Sequence, residues 1–517
     1  MHKIKSLVIS NWLLVIILII ASFLRLYNLT ELPPGLYPDE AMNGNNAQEA
    51  LDTGNFRVFY PENFGREGLF INVQALFISQ FGHYPWALRL PSAIFGILTV
   101  LGLYFFTKEL FKSTNNELIT NKRIRKFETN SLFADENALA LFSAFLLATS
   151  FWHINFSRIG FRAIMAPAFL VWSLYLLLKA LKKNQKVTDN LQLITYNWII
   201  PAAAGIIYGL GFHSYIAYRA TPLLILFIFY RLYKTQYINI LEYVGVSFLI
   251  FTVAATIAAA PLGIHFLKNP TDFFGRTASI SIFTSETPLR DLGLNILKTA
   301  GMFNIAGDFN WRHNVAGRPL LFWPVGIMFL IGIATGLASQ YFSHRMSIIW
   351  LFIALTPVVI SNESLPHALR SILAAPPVFI LAAIGGLKIY EFLKSKLNKT
   401  LLLATCYLLL SLFVFEAYYI YFVAWGQNPN VKPAFAYNDS VIAKYLNSLP
   451  KEVPKYVIVS DFNSKIERDN PISLQSILFL TDTFTNERRI KKNIVYVNEK
   501  DFNKSEVSQN SIILALP

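Results

Sequence analysis

The sequence predicts an all-α polytopic membrane protein that ends in a small soluble α/β domain. Three observations predict it: apolar residues come in long blocks, lysines crowd alternate connections between the blocks, and the composition changes after Trp425. Of 517 residues, 54% are hydrophobic, 44 are Phe and only 15% are charged. Soluble domains average about 25% charged residues, and a soluble chain of this length would divide into a few domains with mixed surfaces.

A bilayer-spanning helix needs roughly 20 apolar residues. Leu7–Leu24, Leu90–Phe111, Ala138–Phe151, Ala163–Leu181, Trp198–Phe212, Thr221–Tyr233, Tyr243–Ile264, Leu320–Ala338, Ile348–Ile360, Ile372–Leu387 and Leu401–Val423 meet or approach that length. Hydropathy therefore gives about eleven spans. The first follows only His2, Lys3 and Lys5, as a signal peptide would. Its apolar run is too long for a signal core and Arg25-Leu26-Tyr27 is a poor cleavage site, so it reads as an uncleaved span.

With the N-terminus in the cytoplasm, the inner connections and span ends hold Lys112, Lys122, Arg123, Arg125, Lys126, Lys179, Lys182, Lys183, Lys186, Lys234, Lys388, Lys394, Lys396 and Lys399. The outer loops of the membrane part hold Lys268 and Lys298 alone. This lysine asymmetry fits the positive-inside rule, although the outer arginines do not follow it. An odd number of spans in a multi-pass protein of the cell membrane then places the C-terminal domain outside. The inner lysines account for much of the +14 net charge, so no nucleic-acid partner is needed. Cys406 is the lone cysteine, which excludes an internal disulfide.

The division expected is a membrane domain, 1–425, with a long first outer loop, 25–89, followed by a soluble domain, 426–517. In that loop Asp39–Thr53 reads as a helix: Pro38 precedes it, Asp39 and Glu40 fill its first turn, and Gly54 follows. Ala47, Ala50 and Leu51 give it one apolar side, which predicts a helix lying on the membrane surface. Leu69–Phe81 is apolar but short, as interfacial or re-entrant segments are. In the later outer loop Leu289, Leu292, Ile296, Leu297 and Ala300 recur at helical spacing opposite Arg290, Asp291, Asn295 and Lys298, the pattern of an interfacial amphipathic helix. Beyond the turn Gly426-Gln427-Asn428-Pro429, Ser440–Leu449 reads as a helix, and Lys455–Ser460, Ile477–Leu480 and Ile494–Val497 read as strands.

Two adjacent carboxylates in Tyr37-Pro38-Asp39-Glu40 face the outer water layer. Transfer of a group to a hydroxyl needs a base to take the acceptor's proton. Acids that merely favour the helix dipole would look the same. In Phe64-Gly65-Arg66-Glu67-Gly68 the flanking glycines let backbone approach a ligand, with Arg66 to hold a phosphate and Glu67 to orient it. An ordinary polar turn is the plainer alternative. Arg89, Arg158, Arg162, Arg219 and Arg370 stand at outer span ends. One such arginine would snorkel to headgroups; several suggest a shared anion gripped by guanidinium forks. His153, His213, His265, His313 and His367 show no ligand spacing, so no metal ligands and no cofactor are named, and a divalent metal stays open. There is no P-loop and no Rossmann glycine fingerprint. An enzyme on the outer side therefore needs a donor already in the membrane, a need that a polyprenyl phosphate sugar meets.

These features together resemble the C-type (GT-C fold) glycosyltransferases, nearest the dolichyl-phosphate-mannose protein mannosyltransferase and aminoarabinose-lipid A transferase group, glycosyltransferase family 39-like. The likeness is carried by Pro38-Asp39-Glu40 and the juxtamembrane helix after it, by Arg89-Leu90-Pro91-Ser92-Ala93 opening the second span, and by Pro366-His367-Ala368-Leu369-Arg370-Ser371 before a Pro-containing span. It covers about Asn11–Leu387. The resemblance implies a polyprenyl phosphate-linked donor, inverting transfer to a hydroxyl of a glycan, lipid or protein, and a catalytic acid within the pair. Asp39 is then the base and Glu40 its partner or the acceptor's orienter. Arg66, Glu67, Arg89, Arg158, Arg162, Arg219, His367 and Arg370 are the substrate-binding candidates. Gly65-Arg66-Glu67 stands where many relatives carry a Lys-Pro-Pro-like segment, and neither MIR-type repeats nor a Trp-Trp-Asp motif occurs. The alternatives are a lipid or glycan flippase and a non-catalytic subunit that displays its C-terminal domain. A flippase would put ionisable groups at mid-span, whereas here they sit at outer ends and in outer loops.

Overall fold

The computed structural model describes residues 2–112, 136–183, 198–235, 238–460, 466–467, 470–503 and 510–516. The lysine- and arginine-bearing loop at 122–126 and Lys186 lie outside the described residues. The chain forms two compact units. One comprises Met1–Tyr27, Ser92–Ser157 and Arg162–Tyr421, the other Asn28–Pro91, Arg158–Phe161 and Phe422–Pro517.

The helices, in chain order, are α1 (His2–Leu26), α2 (Pro38–Thr53), α3 (Leu69–Phe81), α4 (Pro85–Phe111), α5 (Glu136–Ala148), α6 (Phe151–Phe156), α7 (Met165–Lys183), α8 (Ile199–Gly211), α9 (Pro222–Thr235), α10 (Ile238–Lys268), α11 (Pro270–Ser279), α12 (Pro288–Gly301), α13 (Trp323–Ala338), α14 (Phe342–Val359), α15 (Ala375–Lys396), α16 (Lys399–Tyr418), α17 (Tyr437–Ser448), α18 (Gln475–Leu480) and α19 (Asn486–Lys492). Every apolar block expected to span is largely helical. That is the physical consequence of an apolar surround, where backbone groups must be satisfied within the segment. Among the described residues, six helices are long and apolar enough to cross a membrane, and five apolar helices, including α3, are shorter. This supports a membrane location.

In the first unit α13 and α15 pack almost backbone to backbone. A Cβ at Gly332 would lie 1.8 Å from the Leu381 carbonyl oxygen, and one at Gly385 would lie 1.8 Å from the Met328 carbonyl oxygen. Glycine at both crossing points is what allows the approach, the packing mode of small residues between membrane helices. Gly385→Leu is therefore expected to separate the pair and sharply lower the yield of monodisperse protein in gel filtration. Wild-type yield and melting would contradict it.

α12 carries the expected amphipathic pattern with a twist. Leu294, Ile296 and Leu297 are exposed, whereas Asn295 is buried and donates to the Val359 and Ser361 carbonyls at 3.0 Å each. An apolar outer face over a polar anchor suits a helix resting in lipid.

In the second unit the apolar side of α2, expected to face a membrane surface, packs against protein instead. Ala41 and Ala47 join Ile71, Ala75 and Ile78 of α3 and Phe479 of α18 in one buried cluster. The polar side is buried too, through Glu40, Asn43, Asn45 and Asn46. Asn45 Nδ2 donates to Gln475 Oε1 at 2.8 Å, Ser476 Oγ donates to the Leu36 carbonyl at 2.7 Å, and Arg488 pairs with Asp52 at 2.6 Å. Residues 28–91 thus share a core and a polar seam with the C-terminal part.

That part holds a parallel three-stranded sheet. β3 (Lys455–Val459) lies between β4 (Ile494–Asn498) and β5 (Ile512–Leu516), with Lys455 opposite both Ile494 and Ile512. A short antiparallel hairpin, β1 (Phe59–Tyr60) with β2 (Arg66–Glu67), precedes it in the chain. Ile477–Leu480, expected as a strand, is part of α18, and β5 was not anticipated. Periodicity cannot separate a short, fully buried strand from a short buried helix. α18 supplies Ile477 and Leu478 to the core under Val457 and Val459.

Candidate active site

The second unit brings one group of the expected residues together. Tyr37 is extended at φ −68° and ψ 143°, and Pro38 follows at the first helical position. The third helical residue, Glu40, reaches back so that its Oε2 accepts from the Tyr37 backbone N–H at 3.4 Å. This backward reach marks where the acidic first turn begins.

Glu40 is wholly buried. Its Oε1 accepts from Arg89 Nε at 2.9 Å and from the Gly160 N–H at 2.7 Å, and its Oε2 accepts from Arg89 Nη2 at 3.0 Å. Arg89, also wholly buried, spends its other donors on the carbonyls of Pro33 at 2.6 Å and Gly35 at 2.8 Å. A bidentate fork answers the carboxylate, and backbone oxygens answer the rest of the guanidinium. Asp39, one residue earlier, keeps part of its surface exposed. The adjacent acids therefore have different environments. One is the centre of a closed polar knot; the other stands at its edge.

Arg66 is 2% exposed. Its Nη1 donates to Asn43 Oδ1 at 2.6 Å, its Nη2 to Asn46 Oδ1, and its Nε to the Glu62 carbonyl at 3.2 Å. Asn43 in turn donates to the Gly160 carbonyl at 3.1 Å. Arg66, Asn43, Gly160, Glu40 and Arg89 are thus one connected network. Asn43 was not singled out from sequence. Its signal was available, since it lies three residues after Glu40 and four after Asp39, on the same helix face. Glu67 is buried on β2. The clearance at Gly68 is used by the chain itself: a Cβ there would lie 2.1 Å from the Arg57 carbonyl oxygen. Arg158 is buried in the same unit, donates to the Leu32 carbonyl at 2.9 Å and lies over the Phe422 ring at 5.1 Å.

The first unit holds the remaining candidates. Arg162 lies 5.9 Å from the Tyr215 ring centre, and Arg219 stacks at 4.3 Å and 4.9 Å on Phe273 and Phe266. Both are half-buried. Arg219 Nη1 donates to the Phe273 carbonyl at 3.0 Å. Arg370 is paired with the Glu363 carboxylate and Ser361 Oγ.

His367 belongs to a second cluster, with Asp308 and His313, whose ligand-type atoms lie within 4.8 Å of one another. His313 Nδ1 is 2.9 Å and His367 Nδ1 3.9 Å from Asp308 Oδ2. These residue types at these separations can hold a divalent metal ion. Sequence spacing gave no hint because the ligands come from two distant loops. Beside them burial lowers the Arg312 guanidinium to about 10.

No protein-family model matches the chain, and no curated protein matches it. Among solved structures, it is similar to ArnT from Cupriavidus metallidurans bound to undecaprenyl phosphate, at 13% identity over 99% of this chain and 90% of that one, with a TM-score of 0.53. The apo state of that protein matches over the same shares at 13% identity and a TM-score of 0.50. The archaeal oligosaccharyltransferase AglB from Archaeoglobus fulgidus, in complex with an inhibitory peptide and a dolichol-phosphate, matches at 16% identity over 95% of this chain and 64% of that one, with a TM-score of 0.49. The likeness to ArnT runs the length of the chain and establishes the GT-C fold.

Proposed function

We propose that this GT-C chain is a membrane glycosyltransferase that moves a sugar from a polyprenyl phosphate donor to an acceptor hydroxyl at the outer face of the membrane. The observation that carries the reading is the divided fate of the acidic pair, with Glu40 closed into a buried knot and Asp39 partly exposed at its edge. Asp39 takes the proton of the acceptor hydroxyl. The acceptor oxygen attacks the anomeric carbon, the bond from that carbon to the phosphate oxygen breaks, and the electron pair leaves with the phosphate. A single displacement inverts the anomeric centre. Glu40 and Arg89 are positioning residues that hold the turn bearing Asp39, in place of the acceptor-orienting role expected for Glu40 and the substrate contact expected for Arg89.

Arg162 and Arg219 are the preferred phosphate contacts. Both are half-buried against aromatic rings, which hold the flat face of a guanidinium in place. The ArnT structure of similar fold holds undecaprenyl phosphate, the ligand class proposed here. Undecaprenyl phosphate added to the purified protein is expected to raise its melting temperature above that seen with undecaprenol. Saturation at 100-fold over the dissociation constant stabilises by about 2.7 kcal/mol. Arg162→Ala with Arg219→Ala is expected to remove most of that gain. Equal melting with the phosphate and the alcohol would sink the donor assignment.

A further inference from the structure

The geometry points to a divalent metal site of the zinc class formed by Asp308, His313 and His367 in the first unit, independent of the proposed transfer chemistry. The three residues are largely buried, with side-chain exposures of 4% for Asp308, 7% for His313 and 11% for His367. They come from two loops, one after α12 and one before α15.

Three ligand-type side chains converge on one point. The Asp308 carboxylate is held rigidly, with Oδ1 accepting from the Asn310 N–H at 2.8 Å and Oδ2 from the Ala368 N–H at 2.8 Å. His313 Nδ1 approaches Oδ2 at 2.9 Å, but His367 Nδ1 stops at 3.9 Å, beyond hydrogen-bonding range. His367 Nδ1 accepts a long bond from the Arg370 N–H at 3.4 Å, so it carries a lone pair rather than a proton. Zinc binds imidazole nitrogen and carboxylate oxygen at about 2.0–2.2 Å, which puts two ligands of a tetrahedral ion about 3.3–3.5 Å apart. The observed 2.9 Å and 3.9 Å bracket that value, so movements of about half an ångström bring each imidazole to ligand separation from the carboxylate.

The surroundings hold the ligands in place. Asn155 Nδ2 donates to the Arg312 carbonyl at 2.7 Å, and Trp152 Nε1 donates to the Ala368 carbonyl at 2.9 Å, so α6 anchors both ligand loops. Arg312 directs its Nε to Asn310 Oδ1 at 3.3 Å. Three protein ligands leave a fourth position of a tetrahedral ion for water or an oxyanion.

The test uses the full-length protein, purified in detergent without a histidine tag and stripped with a chelator. Zinc added back and dialysed is expected to remain at about one ion per chain by elemental mass spectrometry, and to raise the melting temperature. His313→Ala is expected to weaken zinc binding by more than the roughly 10–100-fold that losing an outer-shell partner costs. His367→Asn, which keeps an amide near the Nδ1 position, preserves the loop and is expected to weaken binding likewise. Gel filtration establishes that each variant is folded. Retention of less than about a tenth of an ion by the wild type, against the one-ion site expected here, would overturn the proposal. So would wild-type zinc retention by folded His367→Asn.

Discussion

Arg89→Met is expected to destabilise the protein by about 3–5 kcal/mol, the cost of breaking a buried pair and leaving one charge uncompensated. Glu40 would remain wholly buried, with the Gly160 and Tyr37 N–H groups as its partners but no cation. The Pro33 and Gly35 carbonyls would lose their donor as well. Glu40→Gln should be costly for the converse reason, since it leaves the guanidinium without its counter-ion. The double replacement Glu40→Leu with Arg89→Met should recover part of the loss, because removing both charges ends the imbalance. Thermal melting in detergent and the yield of folded protein measure all three. If Arg89→Met melts like the wild type, the knot does not hold the first turn of α2, and the structural role given to Glu40 falls with it.

Asp39→Asn is expected to slow transfer by about 10²–10⁴-fold, the usual worth of a general base. The substitution keeps the shape of the side chain at the partly exposed edge of the knot. Melting temperature and abundance should therefore stay near wild type, in contrast to Arg89→Met. The loss should fall on kcat while donor binding holds, because the carboxylate acts only as the acceptor's proton leaves. The two substitutions thus separate two roles within one dipeptide: Asp39→Asn silences a folded enzyme, whereas disturbing Glu40 or Arg89 damages the fold first. Near-normal transfer by Asp39→Asn would reduce Asp39 to a helix-start acid and make Glu67 the next candidate.

The helices were legible because hydropathy reports a local property. Each block expected to span is largely helical, although Ala138–Phe151 breaks at Thr149 and Ser150, and the first turn of α2 begins at Pro38, where Pro, Asp and Glu announced it. What the helices enclose was less legible. The apolar side of α2 predicted a surface helix, but Phe479, from the far end of the chain, completes its core. Ile477–Leu480 read as a strand because a buried run of that length carries no period of its own. Arg89 and Glu40 were both singled out from sequence, yet their pairing was not, since 49 residues separate them. Arg66 read as a phosphate grip in a glycine-flanked stretch, but Asn43 and Asn46 accept from its guanidinium. The cluster of Asp308, His313 and His367 illustrates the same limit, because its ligands meet only after two loops fold together.

Consumption of a lipid-linked donor tests the central claim most directly. The purified protein is reconstituted in liposomes with polyprenyl phosphate sugars and an extract of membrane lipids and glycans, and lipids are followed by mass spectrometry. The account predicts that bare polyprenyl phosphate accumulates as a glycosylated acceptor appears, mole for mole, with the wild type and not with Asp39→Asn. Donor that changes leaflet but stays intact would contradict it and favour a flippase, as would equal release of polyprenyl phosphate by the wild type and Asp39→Asn contradict the role of Asp39.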